Sequence, residues 1–328
     1  MPITTSDMRE LLLPGLRAEF ALAYRNEIDN STFESLATVI QTTQPSQRYG
    51  WLGAAPAMRE FTDERRPTGL AAYSTTIEDK TFEATIAVER KALEDDQLDV
   101  IRLRIRDLAS RVAAHRHQLL AEALGQGFSA TGYDGVPFFS NSHPTGPATA
   151  SNVTSDALAE ASLAAGITTM MSLEDDQAVP LGIVPDTLVV GPKLQWLARE
   201  LVESPVVVYR GNDVDTAPST PFKNVIEGRL RLIVSPYLRG TNDDRWFLLD
   251  TTRAVRGLIL QQRSDVPVEF SALDSRSGSE SAFMRDLYYY GVRARYNVAT
   301  ACGRRRLAET SFDSGPRVHL GLAGISPS

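Results

Sequence analysis

The stretch Leu98–Leu124, LDVIRLRIRDLASRVAAHRHQLLAEAL, carries the strongest periodic pattern in the chain. Seven residues of this stretch, mostly apolar, recur every three or four positions, which is the spacing of the buried face of a helix. These residues are Ile101, Ile105, Leu108, Val112, His115, Leu119 and Ala123. At a rise of 1.5 Å per residue the predicted helix is about 40 Å long. A helix of that length acts as a beam on which other elements lie.

Two strand-like runs precede this helix. Leu70–Ile77 and Phe82–Arg90 are separated by the four residues Glu78–Thr81, and the second run alternates apolar and polar residues with period two. The acidic triplet Glu94–Asp96, after the second run, suits the N-terminus of the long helix. The two strand-like runs themselves predict a β-hairpin. An isolated two-stranded hairpin is marginally stable in water, so it needs a partner surface in its own chain or in another.

The N-terminal part contains too little apolar material to fold alone. Residues 6–25 have helical spacing, with Pro14 inside the pattern, and Thr32–Thr43 is rich in β-branched residues and favours an extended chain. The segment Tyr49–Phe61, YGWLGAAPAMREF, follows; its glycines and proline break any regular period. Its aromatic residues suit a ligand pocket, an active-site lid or a contact with another subunit.

The pattern changes to alternating helices and strands from residue 155 to 262, which predicts a compact α/β domain. Its predicted helices are 156–173 and 192–201, and its predicted strands are 187–190, 206–209, 230–234, 246–250 and 255–261. Residues 211–221 have the composition of an exposed loop. The last part returns to strands, and in Asp286–Ala301 tyrosine, valine and alanine alternate with arginine.

The bulk composition excludes several classes of protein. The chain has 328 residues, a formal charge of −7 and one cysteine, Cys302, so a disulfide framework, a multi-cysteine metal site and a primary nucleic-acid partner are not expected. The first residues lack the pattern of a signal peptide, and no window resembles a membrane helix. We therefore expect folding in a cytoplasm and no membrane partner.

The sequence contains no catalytic constellation that we can identify. It has no P-loop, dinucleotide-binding fingerprint or nucleophile elbow. His115 and His117 point to different helix faces, and His115 fits a packing role; acidic triplets at helix boundaries suit caps. Arg304–Arg306 suits a solvated or ion-paired face better than a phosphate contact. We expect no catalytic residue, cofactor or metal.

The order of elements resembles the HK97-type major capsid fold of tailed bacteriophages, an α+β fold. Three stretches resemble the major head subunit family of phage Mu and its prophage relatives: ATVIQTTQPSQRYGWLGAAPAMREF, FEATIAVERKALEDDQLDV and GYDGVPFFSNSHP. The resemblance runs from about Leu11 to Leu307. It implies six regions: an N-terminal arm (1–48), an E-loop with its flanking segment (49–93), the spine helix and first part of the P-domain (94–154), an A-domain (155–262), the return of the P-domain (263–312) and a C-terminal tail (313–328).

The resemblance implies a structural protein that forms hexamers and pentamers of an icosahedral shell around double-stranded DNA, without sequence-specific DNA binding. It implies a virion component assembled in the bacterial cytoplasm, with separate scaffold and portal proteins, and it leaves decoration proteins open. The expected intersubunit contacts are Trp51, Met58, Phe61, Tyr73, Ile77, Lys80, Phe82 and Ile86. By analogy, Asn212, Asp213 and Asp215 lie in a loop at the capsomer axis.

Other readings of the sequence remain open at this point. Trp51, Met58 and Phe61 are suited to cover the long helix of their own chain, and they are equally suited to contact a neighbouring subunit. Lys80, placed at the hairpin tip, and Asn297 are the pair that a lysine–asparagine cross-link between subunits would use, although a solvated turn lysine is the simpler interpretation. Within the same fold, an encapsulin-like compartment around a cargo enzyme is the alternative. A hydrolase or transferase using residues 155–262, or a binding module that forms no shell, is the alternative from another class.

Overall fold

The structure is a computed structural model. It describes residues 5–52, 72–89, 91, 98–132, 134–145, 148–174, 180–207, 222–265, 268–273, 286–300 and 310–312. The chain divides into two compact units. The first unit comprises Met1–Phe138 and Thr251–Arg306, and the second comprises Phe139–Asp250 and Leu307–Ser328.

The described helices are α1 (Thr5–Asp29), α2 (Leu98–Gln126), α3 (Glu160–Met171) and α4 (Gln195–Glu203). The strands are β1 (Ala37–Thr42), β2 (Ser46–Leu52), β3 (Ala72–Glu78), β4 (Lys80–Glu89), β5 (His143–Thr145), β6 (Ala148–Ala150), β7 (Val153–Thr154), β8 (Thr187–Val190), β9 (Val206–Val207), β10 (Phe222–Lys223), β11 (Arg231–Val234), β12 (Trp246–Leu249), β13 (Leu258–Arg263), β14 (Glu269–Leu273), β15 (Leu287–Thr300) and β16 (Thr310–Phe312). None of the described helices has the length and apolar character needed to cross a membrane.

The first unit is built around the 14-residue strand β15. One edge of β15 pairs antiparallel with β4, and its other edge pairs with β14 and then with β13. Strand β1 joins the free edge of β13 in parallel. Alternate residues of β15 are buried, with Tyr288, Tyr290 and Tyr296 on the buried face and Arg293 and Arg295 on the other. The alternation predicted from the sequence is confirmed.

Two long helices cover this sheet. Helix α2 is 29 residues long, or about 43 Å, which confirms the predicted beam. Helix α1 packs against α2 and confirms the predicted N-terminal helix. Leu16 and Phe20 of α1 enter the same apolar core as Ile105 and Leu108 of α2, together with Tyr290 of the sheet. The N-terminal part therefore obtains its core from the long helix.

The predicted pairing of the two strands before α2 is wrong. Strands β3 and β4 are present near the expected positions, but β3 pairs antiparallel with β2, and β4 pairs with β15. Only Asp79 lies between them, so Lys80 begins β4 opposite Tyr296 and is not at a hairpin tip. The hairpin formed is β2–β3, and its strands are joined by residues 53–71, which lie outside the described ranges.

The second unit contains a five-stranded sheet in the order β11-β8-β12-β16-β7. All four residues of β8 and of β12 are buried, as expected for central strands covered on both faces. Leu188 and Trp246 share a core with Leu163 of α3 and Leu201 of α4. Strand β13 lies within the predicted 155–262 domain but pairs with β1 and β15 of the first unit.

Candidate functional site

The hairpin β2–β3 is a candidate element for contact with another subunit. Its register runs from Ser46 opposite Glu78 to Leu52 opposite Ala72, a length of about 20 Å at 3.3 Å per residue. Within the described residues neither strand pairs with a third strand. Since a two-stranded ribbon contributes little stability of its own, the part far from the sheet needs another surface.

The base of the hairpin is fixed to the five-stranded sheet of the first unit. Ile77 is buried against Ile259 of β13, and Tyr49 packs on the same small cluster. The Tyr49 hydroxyl donates a hydrogen bond of 2.8 Å to Oε1 of the buried Gln261. The Asn297 side chain donates Nδ2–H to the Glu78 carbonyl oxygen at 2.7 Å. These contacts set where the hairpin leaves the sheet.

Four charged residues surround this exit point, and we call them the hinge cluster: Asp79, Arg263, Asp265 and Arg295. The Asp79 side chain is 2% exposed, and its Oδ2 lies 2.8 Å from Arg295 Nε. The approach is off the N–H direction, so this contact is an ion pair and not a well-formed hydrogen bond. The backbone N–H of Asp79 also donates a hydrogen bond of 2.9 Å to the Pro45 carbonyl oxygen, which holds the connection between β3 and β4 in place.

The second half of the hinge cluster is a two-bond pair. Arg263 donates from Nε and Nη2 to the two carboxylate oxygens of Asp265, at 2.7 and 2.5 Å. The bond from Arg263 lowers the pKa of Asp265 to about 2, with a smaller contribution from the charge of Arg295. The pKa of Arg263 is raised chiefly by the same bond, and Asp79 contributes to that shift. The two ion pairs are therefore coupled.

A buried arginine connects the other elements of the first unit. Arg116 of α2 is 4% exposed. Its Nη2 lies 2.8 Å from Oε1 of Glu34, in the 3-10 helix Phe33–Leu36, and its Nη1 donates to the Tyr24 hydroxyl of α1 at 2.8 Å. Burial raises the pKa of Glu34, and the Arg116 charge partly opposes that shift. One guanidinium thus holds three elements together.

The two histidines of α2 point to different partners, as their spacing predicted. His115 Nδ1 lies 2.8 Å from the Tyr296 hydroxyl, and the Phe82 ring packs edge-on against the imidazole. His117 Nε2 lies 2.7 Å from Ser31 Oγ, and the His117 ring stacks on the Phe33 ring. Burial lowers the pKa of both histidines. The packing role predicted for His115 is confirmed.

The residues expected to contact a neighbouring subunit fall into three groups. Ile77, Phe82 and Ile86 are buried or partly buried against elements of their own chain, and Lys80 is exposed. Trp51 and Tyr73 are paired across the hairpin by their backbones. Contact with a second copy stays a prediction for all of these residues. The remaining expected residues lie outside the described ranges: Met58, Phe61, Asn212, Asp213 and Asp215.

The residues that fix the hairpin and the long helix were not identified from the sequence. Asp79 lies in the segment Glu78–Thr81, which the sequence predicts to be a turn, and Arg116 lies between His115 and His117 in the predicted helix. The signal for Asp79 was the register of β4 on β15: one position before the Lys80–Tyr296 pair, Asp79 lies diagonal to Arg295. In the described part of the chain, no three His, Cys, Asp or Glu side chains come close enough to share a metal ion.

A family model supports the predicted family. The model described as Mu-like prophage major head subunit gpT matches residues 10–157, 149–238 and 239–305, which together cover most of the chain. Two relatives are named as a capsid protein and a head subunit. The chain is 32% identical over 117 residues to the major capsid protein of Escherichia phage Mu, covering 36% of this chain and 38% of that protein.

A second relative matches more of the chain at lower identity. It is the Mu-like prophage FluMu major head subunit of Haemophilus influenzae, 24% identical over 268 residues, covering 82% of this chain and 62% of that protein. The matched region thus spans about two fifths of the phage Mu protein and about three fifths of the FluMu protein.

Solved structures of low sequence identity share the fold. The procapsid of bacteriophage JBD30 has a TM-score of 0.50 at 24% identity, with 92% of this chain and 74% of that chain covered. A chain of Microbacterium phage Oxtober96 has a TM-score of 0.54 at 12% identity, with 86% and 90% covered. These likenesses confirm the predicted α+β, HK97-type capsid fold. Because the family model matches from residue 10 to residue 305, the chain belongs to the Mu-like prophage major head subunit gpT family.

Proposed function

We propose that this chain is the major structural subunit of a phage head shell, and that it assembles into hexamers and pentamers that enclose double-stranded DNA. The observation that carries the proposal is the family match across residues 10–305. The family is that of a structural head subunit and not of an enzyme. The match therefore favours a phage shell over an encapsulin-like compartment.

The hairpin supports this proposal physically. Its base is anchored through Ile77, Tyr49 and the hinge cluster, whereas its outer pairs toward Leu52 and Ala72 have no third strand among the described residues. A strap with a fixed base and an unsupported outer part suits a protein that obtains the missing surface from a neighbour. A lone two-stranded hairpin without such a surface is only marginally stable in water.

The charge of the chain is consistent with enclosing DNA without binding its sequence. A net charge of −7 gives no electrostatic drive to bind phosphates, and packaged DNA carries its own counterions. In the proposed role the inner wall does not adhere strongly to the genome. Scaffold and portal proteins are expected partners of such a shell. One structure with the same fold, the capsid of bacteriophage JBD30, is decorated with minor capsid protein trimers, and we include a decoration protein among the partners to test.

Negative-stain electron microscopy with light scattering on the purified full chain tests the proposal. Closed shells, tubes or five- and six-membered rings are the expected particles. If the chain stays a monodisperse monomer or dimer alone, it should be co-expressed with the scaffold gene from the same gene cluster. A monomer or dimer under both conditions would contradict a shell function.

A further inference from the structure

An open groove of about 750 Å³ runs along helix α1 on the sheet side of the first unit. Its lining residues on α1 extend from Arg17 to Ile28, a distance of about 16 Å at 1.5 Å per residue. Phe20 and Tyr24 form the apolar part of this wall, and the Phe20 ring stacks on Phe270 of β14 with 5.3 Å between the ring centroids. The volume is that of a ligand-binding site, and the elongated shape suits a segment of chain.

The sheet side of the groove is a strand edge. Strand β14 pairs with β15 along one edge, and no described strand pairs with its other edge. Glu269 and Phe270 are adjacent in β14, so their side chains point to opposite faces of the sheet, and both line the groove. The groove therefore reaches the outer edge of β14, where backbone N–H and C=O groups are available for pairing.

Strand β1 fills only half of the outermost position of this sheet. Strands β13 and β14 lie end to end along the same edge of β15, and β1 covers the outer edge of β13 as far as the Thr42–Arg263 pair. The Ser264 N–H then donates to the Thr42 carbonyl oxygen at 3.0 Å. Beyond Pro45 the chain forms β2, which pairs with β3. The outer edge of β14 therefore continues the line of β1 without a described strand on it.

Two arginines of α1 give the groove positive charge that is not compensated. Arg17 and Arg25 are exposed groove residues, and neither forms an ion pair within the described part of the chain. Across the groove, Asp265 already pairs with Arg263, which leaves Glu269 as the single unpaired carboxylate among the described lining side chains. The groove therefore favours a ligand that carries carboxylates, although the whole chain has a net charge of −7.

The spacing of these groups matches an extended strand. Arg17 and Arg25 are about 12 Å apart along the helix, with Phe20 and Tyr24 between them. Residues i and i+4 of a strand point to the same face and are about 13 Å apart, with residue i+2 between them. An acidic–apolar–acidic pattern at i, i+2 and i+4 thus complements the helix wall. No described strand of this chain has that pattern.

From this arrangement we infer that the groove docks an extended, acidic segment of a separate protein, which pairs with the outer edge of β14. Backbone hydrogen bonds to the edge supply affinity, and the alternating side chains supply specificity. The apolar residue of the partner packs on Phe20 and Tyr24, and its two carboxylates bind Arg17 and Arg25 through charge-assisted hydrogen bonds. This inference goes beyond the proposed shell function, because the partner is not a copy of this chain.

Isothermal titration calorimetry of the full chain with a synthetic peptide tests the inference. The probe is a blocked peptide of sequence VTDTVTDTV, which carries the acidic–apolar–acidic pattern on one face. Replacing both of its aspartates by lysine should weaken binding at least about tenfold, because like charges then face each other in the groove. Two further peptides are N-methylated at the odd or at the even residues. One of them should lose binding and the other should keep it, since only alternate N–H groups of a strand face the edge.

Variants of the two groove arginines test the charge contacts. Arg17→Glu combined with Arg25→Glu should weaken binding of the aspartate peptide at least about tenfold. Arg104→Glu combined with Arg229→Glu makes the same charge change at exposed arginines that do not line the groove, and it should bind like the wild type. Both double variants should keep the melting temperature of the wild type. If the first one melts lower, Arg17→Gln combined with Arg25→Gln carries the test, with a change in the same direction.

Hydrogen exchange reports on the strand edge directly. The β14 amides that do not bond to β15 should exchange freely in the chain alone and should gain protection when the peptide binds. Protection without peptide would overturn the inference, since the chain itself or a second copy would then cover the edge. No binding, binding that ignores Arg17 and Arg25, equal binding of the aspartate and lysine peptides, or equal effects of the two methylation patterns would overturn it as well. None of these results depends on assembly, so the proposed shell function would stand.

Discussion

The Oδ2 atom of Asp79 lies 2.8 Å from Nε of Arg295 at the single residue that separates strand β3 from strand β4. Strand β3 belongs to the β2–β3 hairpin and strand β4 to the sheet. The ion pair thus joins the corner of the hairpin to the central strand β15. It fixes the direction in which the proposed strap leaves the body of the subunit.

Replacing Asp79 should weaken this corner. Breaking a fully buried ion pair costs about 3–5 kcal/mol, and Arg295 keeps a quarter of its side chain in water, so Asp79→Asn should lower the free energy of unfolding by about 2 kcal/mol. Urea unfolding of the unassembled subunit measures the loss, and hydrogen exchange should rise in β2 and β3. The control is Asp99→Asn, whose partner Arg102 lies 3.3 Å away on the surface. That change should cost less than about 1 kcal/mol. Equal losses in the two variants would contradict the assigned role of Asp79.

Removing Arg116 should loosen the first unit more strongly. Arg116→Ala leaves Glu34 buried without its partner and Tyr24 without its donor, so a loss of about 3–5 kcal/mol is expected. Arg111→Ala, on the same helix, removes an exposed pair with Asp107 and should change the free energy of unfolding by less than about 1 kcal/mol. Chemical denaturation of both variants measures the difference. A loss below about 1 kcal/mol for Arg116→Ala would show that the network does not hold the unit together.

The two half-buried histidines of α2 predict a loss of stability in mild acid. Burial lowers the folded-state pKa of His115 and His117 below 6.5, the value for an unperturbed histidine. The unfolded chain therefore takes up protons first as pH falls, and the stabilising contribution present above pH 6.5 is lost below it. The melting temperature of the wild type should fall between about pH 7.5 and pH 5.5. His117→Gln should show a smaller fall over the same interval, and an identical fall in both would exclude His117 as a source.

Two glycines should respond in opposite directions to alanine. A Cβ at Gly191 would lie 2.6 Å from the Leu238 carbonyl oxygen, so Gly191→Ala should destabilise the second unit by about 1–3 kcal/mol. Gly15 lies inside α1 with no atom within 4 Å of its added Cβ, so Gly15→Ala should stabilise by up to about 1 kcal/mol through helix propensity. Thermal melts of the two variants measure both effects. A neutral Gly191→Ala would show that the Leu238 backbone moves freely.

Elements with local periodicity were predicted well from the sequence, and their partners were not. The repeat in Leu98–Leu124 located α2 because helix formation depends on residues three and four apart. The pairing of β3 with β2, across residues 53–71, depends on contacts that no local pattern carries. Four residues between two strands resembled a turn, although the alternation of β15 offered a partner for β4.

The candidate site shows the same division. The spacing of His115 and His117 predicted that they lie on different helix faces. Each of them contacts a different partner in the structure. The burial of Arg116 did not follow, because it depends on Glu34 and Tyr24, which come from elements more than 80 residues away. The local patterns supplied the order of the parts, and the resemblance to a capsid family that rests on this order supplied the expected function.

The measurement that tests the central claim most directly is a cryo-electron microscopy reconstruction of particles formed by the full chain, with scaffold where needed. We expect shells or rings with five- and six-fold positions, in which the β2–β3 hairpin and residues 53–71 lie on a neighbouring subunit. Discrete small oligomers, or particles in which that hairpin packs only on its own chain, would contradict the account.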